Sequence, residues 1–95
     1  MTFEKNENTD YLFKAILSLK DAEECYRFFE DICTQEELKE LSRRMQAAKM
    51  LYRNNIYSKI ASETGLSTAT ISRVSRSMKY GNGGYLTALD RIEKK

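Results

Sequence analysis

The chain has 95 residues with sixteen Lys/Arg against fourteen Asp/Glu, a net charge of +2, and neither histidine nor proline. A chain of this size builds a modest core in one domain, a core that a partner subunit would enlarge, and the lack of histidine removes the commonest general base and transition-metal ligand. The serines sit in neither a glycine elbow nor an SxxK arrangement, no apolar run approaches the ~20 residues needed to cross a bilayer, and Met1 to Asn8 is unlike a signal peptide, so the expectation is a cytoplasmic, non-enzymatic protein without metal or membrane contact.

Glycine occurs only at positions 65, 81, 83 and 84, so helix periodicity governs the chain and the fold class is all-α. A single helical domain over 1–95 is expected, with helices for dimerisation over 9–53. The first helix, about Thr9 to Leu19, gathers Leu12, Phe13, Ile16, Leu17 and Leu19 on one apolar face. Asp21 with Glu24 reads as an N-cap and its reciprocal partner. The helix behind them carries Ala22, Cys25, Tyr26, Phe29, Ile32 and Cys33 as a packing stripe. Two cysteines eight apart on one helix lie about two turns from each other, too far for a disulfide, and are expected as reduced core residues.

Thr34 with Glu37 forms a capping-box pattern for a third, longer helix from about Gln35 to Arg53. Its apolar positions Leu38, Leu41, Met45, Ala48 and Tyr52, with Leu51 beside them, recur at three and four, the seam of helices packing at shallow angles. Arg43, Arg44, Lys49 and Arg53 lie on the other face, as solvated charge, phosphate contacts or an effector clamp. Asn54 and Asn55 suit the left-handed conformation that closes a helix.

From Tyr57 to Arg76 the sequence YSKIASETGLSTATISRVSR reads as two short helices joined by a tight turn, a helix-turn-helix within residues 57–79. Ala61 falls where the helices come closest, and Gly65 falls where the turn needs positive φ. Ile60, Leu66, Ile71 and Val74 supply apolar contacts, which Met78 extends. Ser67 is a good N-cap, and Thr68, Ala69 and Thr70 behind it are short enough to let backbone and phosphate approach. In such motifs the start of the second helix reaches base edges. Thr68, Ala69, Ser72 and Arg73 are therefore the base-reading candidates, and Lys59, Arg76 and Lys79 the phosphate-positioning ones.

Charge supports that orientation. Met1 to Glu40 carries net −6 and Leu41 to Lys95 net +8, and no acidic residue occurs between Glu63 and Asp90. A basic half suits a polyanion such as double-stranded DNA, although charge asymmetry also arises from residues that only solvate helices. The glycines of YGNGG at Tyr80 to Gly84 break the recognition helix, and Tyr85 to Glu93 reads as a short closing helix.

The runs TQEELKELSRRMQAAKMLY and ETGLSTATISRVSRSMK, within Thr34 to Lys79, resemble the Trp repressor superfamily, its YerC/YecD-like branch in particular. The resemblance implies an intertwined homodimer of six-helix subunits whose two reading heads meet half-sites of a palindromic operator one helical turn, ~34 Å, apart. It also implies a small-molecule effector between Arg44 and Arg73, with Thr34 and Ser77 at matching pocket positions. Val74 stands where the Trp repressor has a glycine, and its branched side chain takes space that an indole needs. The reading is a sequence-specific DNA-binding transcription regulator, a repressor, with a helical protein-protein adaptor or a helix-turn-helix subunit of a larger DNA-processing complex as alternatives.

Overall fold

The structure, a computed structural model, describes residues 4–94. Among these residues there are six helices and no strand: α1 (Glu7–Leu17), α2 (Ala22–Ile32), α3 (Gln35–Tyr52), α4 (Tyr57–Thr64), α5 (Thr68–Tyr80) and α6 (Gly84–Glu93). They gather into two compact units, one ending at Leu38 and the other beginning at Lys39.

In the first unit, side chains cap every helix start. Asn6 Oδ1 accepts the Thr9 N–H at 2.9 Å, so α1 begins two residues earlier than its apolar periodicity indicates. Asn caps as well as Asp or Ser, and the polar first turn hid the boundary. Asp21 Oδ1 accepts from the Glu24 N–H at 2.8 Å, while Glu24 reaches back one residue beyond the cap, to the Lys20 N–H at 2.9 Å. Thr34 and Glu37 complete a reciprocal box, with Thr34 N–H to Glu37 Oε1 at 2.8 Å and Glu37 N–H to Thr34 Oγ1 at 3.1 Å. The Thr34 backbone N–H, and then its hydroxyl, hold the Glu37 carboxyl below its ordinary range.

The apolar faces of α1 and α2 contain no buried residue. Leu17 is 84%, Tyr11 72% and Tyr26 66% exposed. The packing stripe read on α2 is thus left largely uncovered in this chain, with Phe29 half-buried, and the cysteines are corrected with it: Cys25 is exposed, Cys33 is half-buried, and both are free thiols. Periodicity marks which face seeks a partner, not whether the same chain provides one.

The second unit is built on two buried clusters that use adjacent faces of α3. Ala47 and Met50 meet Ile60 of α4, Leu66 of the turn and Ile71 of α5. Ala48 meets Val74 of α5 and Leu89 of α6, with Met45, Tyr52, Met78 and Tyr85 packed against them. Ala47 and Ala48 are completely buried, and their methyl-sized side chains leave room for neighbouring helices to approach. Leu41, read as part of the seam, is half exposed instead.

Two polar links tie α6 to the end of α3. The Tyr52 hydroxyl donates to Asp90 Oδ1 at 2.6 Å, and Arg53 Nε donates to Glu93 Oε1 at 2.5 Å. The Tyr52 hydrogen bond holds the Asp90 carboxyl below its ordinary value, against the opposing effect of burial, and Lys94 assists. A depressed carboxylate stabilises the fold above its unfolded pKa, and that contribution is lost as pH falls through the folded value. Tyr52→Phe is therefore expected to lower the melting temperature near neutral pH, and the gap from wild type should narrow on acidification through the carboxylate range. A gap that stays constant to about pH 2 would show that the Tyr52–Asp90 link is not the source.

Candidate nucleic-acid interface

The α4–α5 corner carries the features that its sequence demands. α4 ends at Gly65 with φ 75°, and the Gly65 N–H bonds to the Ala61 carbonyl at 2.9 Å. A Cβ placed on Gly65 would meet nothing within 4 Å, so the left-handed backbone alone opposes a side chain. Gly65→Ala is expected to cost about 1–2 kcal/mol, read as a shift in the urea midpoint at unchanged slope. A neutral substitution would mean that the corner relaxes out of this conformation.

Beyond the turn, Ser67 caps α5 by accepting the Thr70 N–H at 3.1 Å and donating its hydroxyl to Thr70 Oγ1 at 3.0 Å. Ile60, Leu66, Ile71 and Val74 are all buried, as their spacing indicates. They do not form one seam, however. Ile60, Leu66 and Ile71 lock the α4–α5 corner onto α3, whereas Val74 joins the other cluster, with Ala48 and Leu89.

With Ile71 and Val74 turned inward, α5 shows solvent a stripe of Ala69, Arg73, Arg76 and Tyr80, spaced by four, three and four residues, with Thr68 and Lys79 exposed beside it. Ser72 and Thr70 are half-buried, and Thr70 is engaged in the cap. Lys59 lies on α4, 57% exposed and 4.0 Å from Glu63 Oε2, a contact too loose and too solvated to hold it away from a phosphate. Tyr80 is a residue that sequence reasoning passed over. It is the last residue of α5, with the break starting at Gly81, and it is 83% exposed. The same periodicity that selects Arg73 and Arg76 would have included it.

Two clefts flank α5. Arg44, Thr70, Arg73, Val74, Ser77 and Tyr85 line one of about 220 Å³. Three of the four residues assigned to an effector thus share a wall, while Thr34 lies in the other unit and caps α3. Arg44 is 3.6 Å from Glu40 Oε2 and half exposed. The second cleft, about 640 Å³, lies along Tyr57, Ser75, Met78, Lys79 and Leu86. No cluster of His, Cys, Asp and Glu suited to a metal ion occurs among the described residues, and no described helix is long and apolar enough to cross a membrane.

Together the helix order and the corner define an all-α protein of the helix-turn-helix class. Residues 7–93 match the Trp repressor protein family. YerC, an uncharacterized protein of Bacillus subtilis (strain 168), is 54% identical over 90 residues, 95% of this chain and 86% of YerC. The crystal structure of a TrpR like protein from Eubacterium eligens ATCC 27750 superposes with a TM-score of 0.91 at 52% identity, covering 95% of this chain and 93% of that one. A structure from Staphylococcus aureus gives 0.90 at 48% identity, over 96% and 91%. The chain belongs to the Trp repressor family, in its YerC-like branch, and shares the fold of a family of DNA-binding regulators.

Proposed function

We propose that this protein is a sequence-specific transcription regulator of the cytoplasm, a repressor that acts as a homodimer and places α5 in the major groove of a palindromic operator. The observation that carries this reading is the Ala69–Arg73–Arg76 stripe, held outward on a helix whose opposite face is buried at Ile71 and Val74. Thr68, Ala69, Ser72 and Arg73 read base edges, and Lys59, Thr70, Arg76 and Lys79 sit along the phosphates. The uncovered faces of α1 and α2 support the homodimer, because large apolar side chains left in water mark a surface that a partner covers. The two-fold axis then gives the operator its symmetry.

Selection of bound sites from random DNA tests this directly. The expected product is an inverted repeat with half-sites about one helical turn apart, ~34 Å. Recovery of unrelated sequences, or of none, would remove the regulator reading. The aromatic faces of the N-terminal helices also suit an adaptor that binds another protein. An adaptor has no reason to lose affinity steeply as salt rises, whereas a phosphate-binding protein does.

The cleft beside Arg44, Arg73 and Ser77 is proposed as an effector site for a small anion, with two guanidinium groups as its binding charges. Its lining does not fit tryptophan. Val74 is buried at the cleft wall, and its branched side chain takes space that an indole needs. Titration calorimetry with tryptophan is expected to give no saturable heat. Saturable binding would overturn the steric argument from Val74.

A further inference from the structure

Among the described residues, Thr64 is the buried polar one, 5% exposed at the last turn of α4. Its hydroxyl has a single proton, and that proton goes to the Ile60 carbonyl oxygen at 2.7 Å. A lone pair is left to accept the Leu66 N–H at 3.1 Å. Leu66 is itself buried, so its N–H has no ready water to replace that partner. The pair of bonds therefore spans Gly65, the most permissive residue in the corner, and joins the end of α4 to the residue just before the Ser67 cap of α5.

We propose that Thr64 is a positioning residue for DNA recognition, its hydroxyl bridge from Ile60 to Leu66 setting the angle at which α5 leaves the corner. The proposal rests on α5 being the helix that enters the groove. At 1.5 Å rise per residue, Arg73, the base-reading residue farthest from the corner, lies roughly 7.5 Å along α5 from Thr68, so a tilt of about 10° at the corner carries it about 1.3 Å. Hydrogen bonds to base edges weaken steeply over such a shift. Long side chains on phosphates follow it by changing rotamer, because a phosphate is met as charge more than as shape. Loss of the bridge thus affects discrimination between sequences before it affects affinity for DNA in general.

The test compares wild type with Thr64→Val, which keeps the shape and removes both hydrogen bonds, and with Thr64→Ser, which keeps the hydroxyl and removes a buried methyl. Affinities for the selected operator and for random DNA are measured at matched salt, below the melting temperature of each protein. Thr64→Val is expected to lower the operator-to-random ratio about tenfold, the scale of one good base contact. Its random-DNA affinity and salt slope should stay within about twofold of wild type. Thr64→Ser is expected to keep the wild-type ratio even though it melts earlier.

A purely structural Thr64 gives the opposite pattern, with both variants melting earlier and both keeping the ratio, and that result overturns the proposal. Thr64→Cys, a weak donor and acceptor, should fall below Thr64→Ser in the ratio. That ordering decides the matter if Thr64→Val does not fold, and its reversal overturns the proposal. A wild type that selects no site at all overturns the regulator reading together with this one. A wild type that selects a site while Thr64→Val keeps the full ratio overturns this one alone.

Discussion

Ile71→Ala is expected to destabilise the second unit by about 2–5 kcal/mol, the range for removing a large aliphatic side chain from a packed core. Ile71 is completely buried among Ala47 and Met50 of α3, Ile60 of α4 and Leu66 of the turn. The cavity left by truncation would thus border three other segments at once, and relaxation of one cannot fill it. A protein of this size has only about 5–15 kcal/mol to lose, so the variant should melt far earlier and show a lower urea midpoint. Ile71→Val should cost only about 0.5–1.5 kcal/mol. A loss below about 1 kcal/mol for Ile71→Ala would mean that the corner closes around the missing side chain and that α5 is not pinned there.

The second large effect is on DNA. Arg73 lies in the middle of the exposed stripe and Lys79 at its edge, near the end of α5. Arg73→Ala is expected to lose about 1–3 kcal/mol of discrimination at the base pair it reads, with relaxed preference at that position. Lys79→Ala is expected to weaken all sequences alike and to lower the salt slope by about 1. Binding measured over a salt series, on the operator and on single-base variants of it, separates the two. Equal effects with unchanged slopes would abolish the division between reading and positioning residues. Arg44→Ala is the useful control. It shares a cleft with Arg73 but lies on α3, so it should change effector binding without changing the base preference.

The corner was legible because local backbone physics decides it. Gly65 is needed where φ is positive, Ser67 where an N-cap is needed, and Asn54 takes φ 64° where α3 closes. The capping box at Thr34 and Glu37 was legible for the same reason, since both partners lie within one turn. Tertiary packing was less so. Ala47 and Met50 are core residues that the three-and-four seam through Leu41 and Ala48 did not include, because α3 is covered on two adjacent faces and a single-stripe reading finds one. Val74 has the spacing of an α4 contact but packs towards α6.

Within the site, the stripe from Ala69 to Arg76 follows from placing Ile71 and Val74 inward. Thr64 does not follow from any pattern. A threonine near the end of a helix reads as an indifferent helix former, and its hydroxyl becomes informative only when the Leu66 N–H is found buried beside it. Tyr80 was obscured by the glycines that follow it. The uncovered faces of α1 and α2 were visible as stripes, but a sequence does not state whose side chains lie across from them.

Separate anchorage at Ile71 and Val74 gives α5 the mechanics of a shaft in two bearings. The front bearing sits in the corner, and the rear one is seated against α6, itself strapped to α3 by Tyr52–Asp90 and Arg53–Glu93. Force applied at the rear swings the shaft about the front bearing without unseating it, so the direction of α5 can be retuned while the corner stays intact. Variation among relatives that shifts target preference should accordingly accumulate around Val74, Tyr85 and Leu89 as well as on the stripe itself.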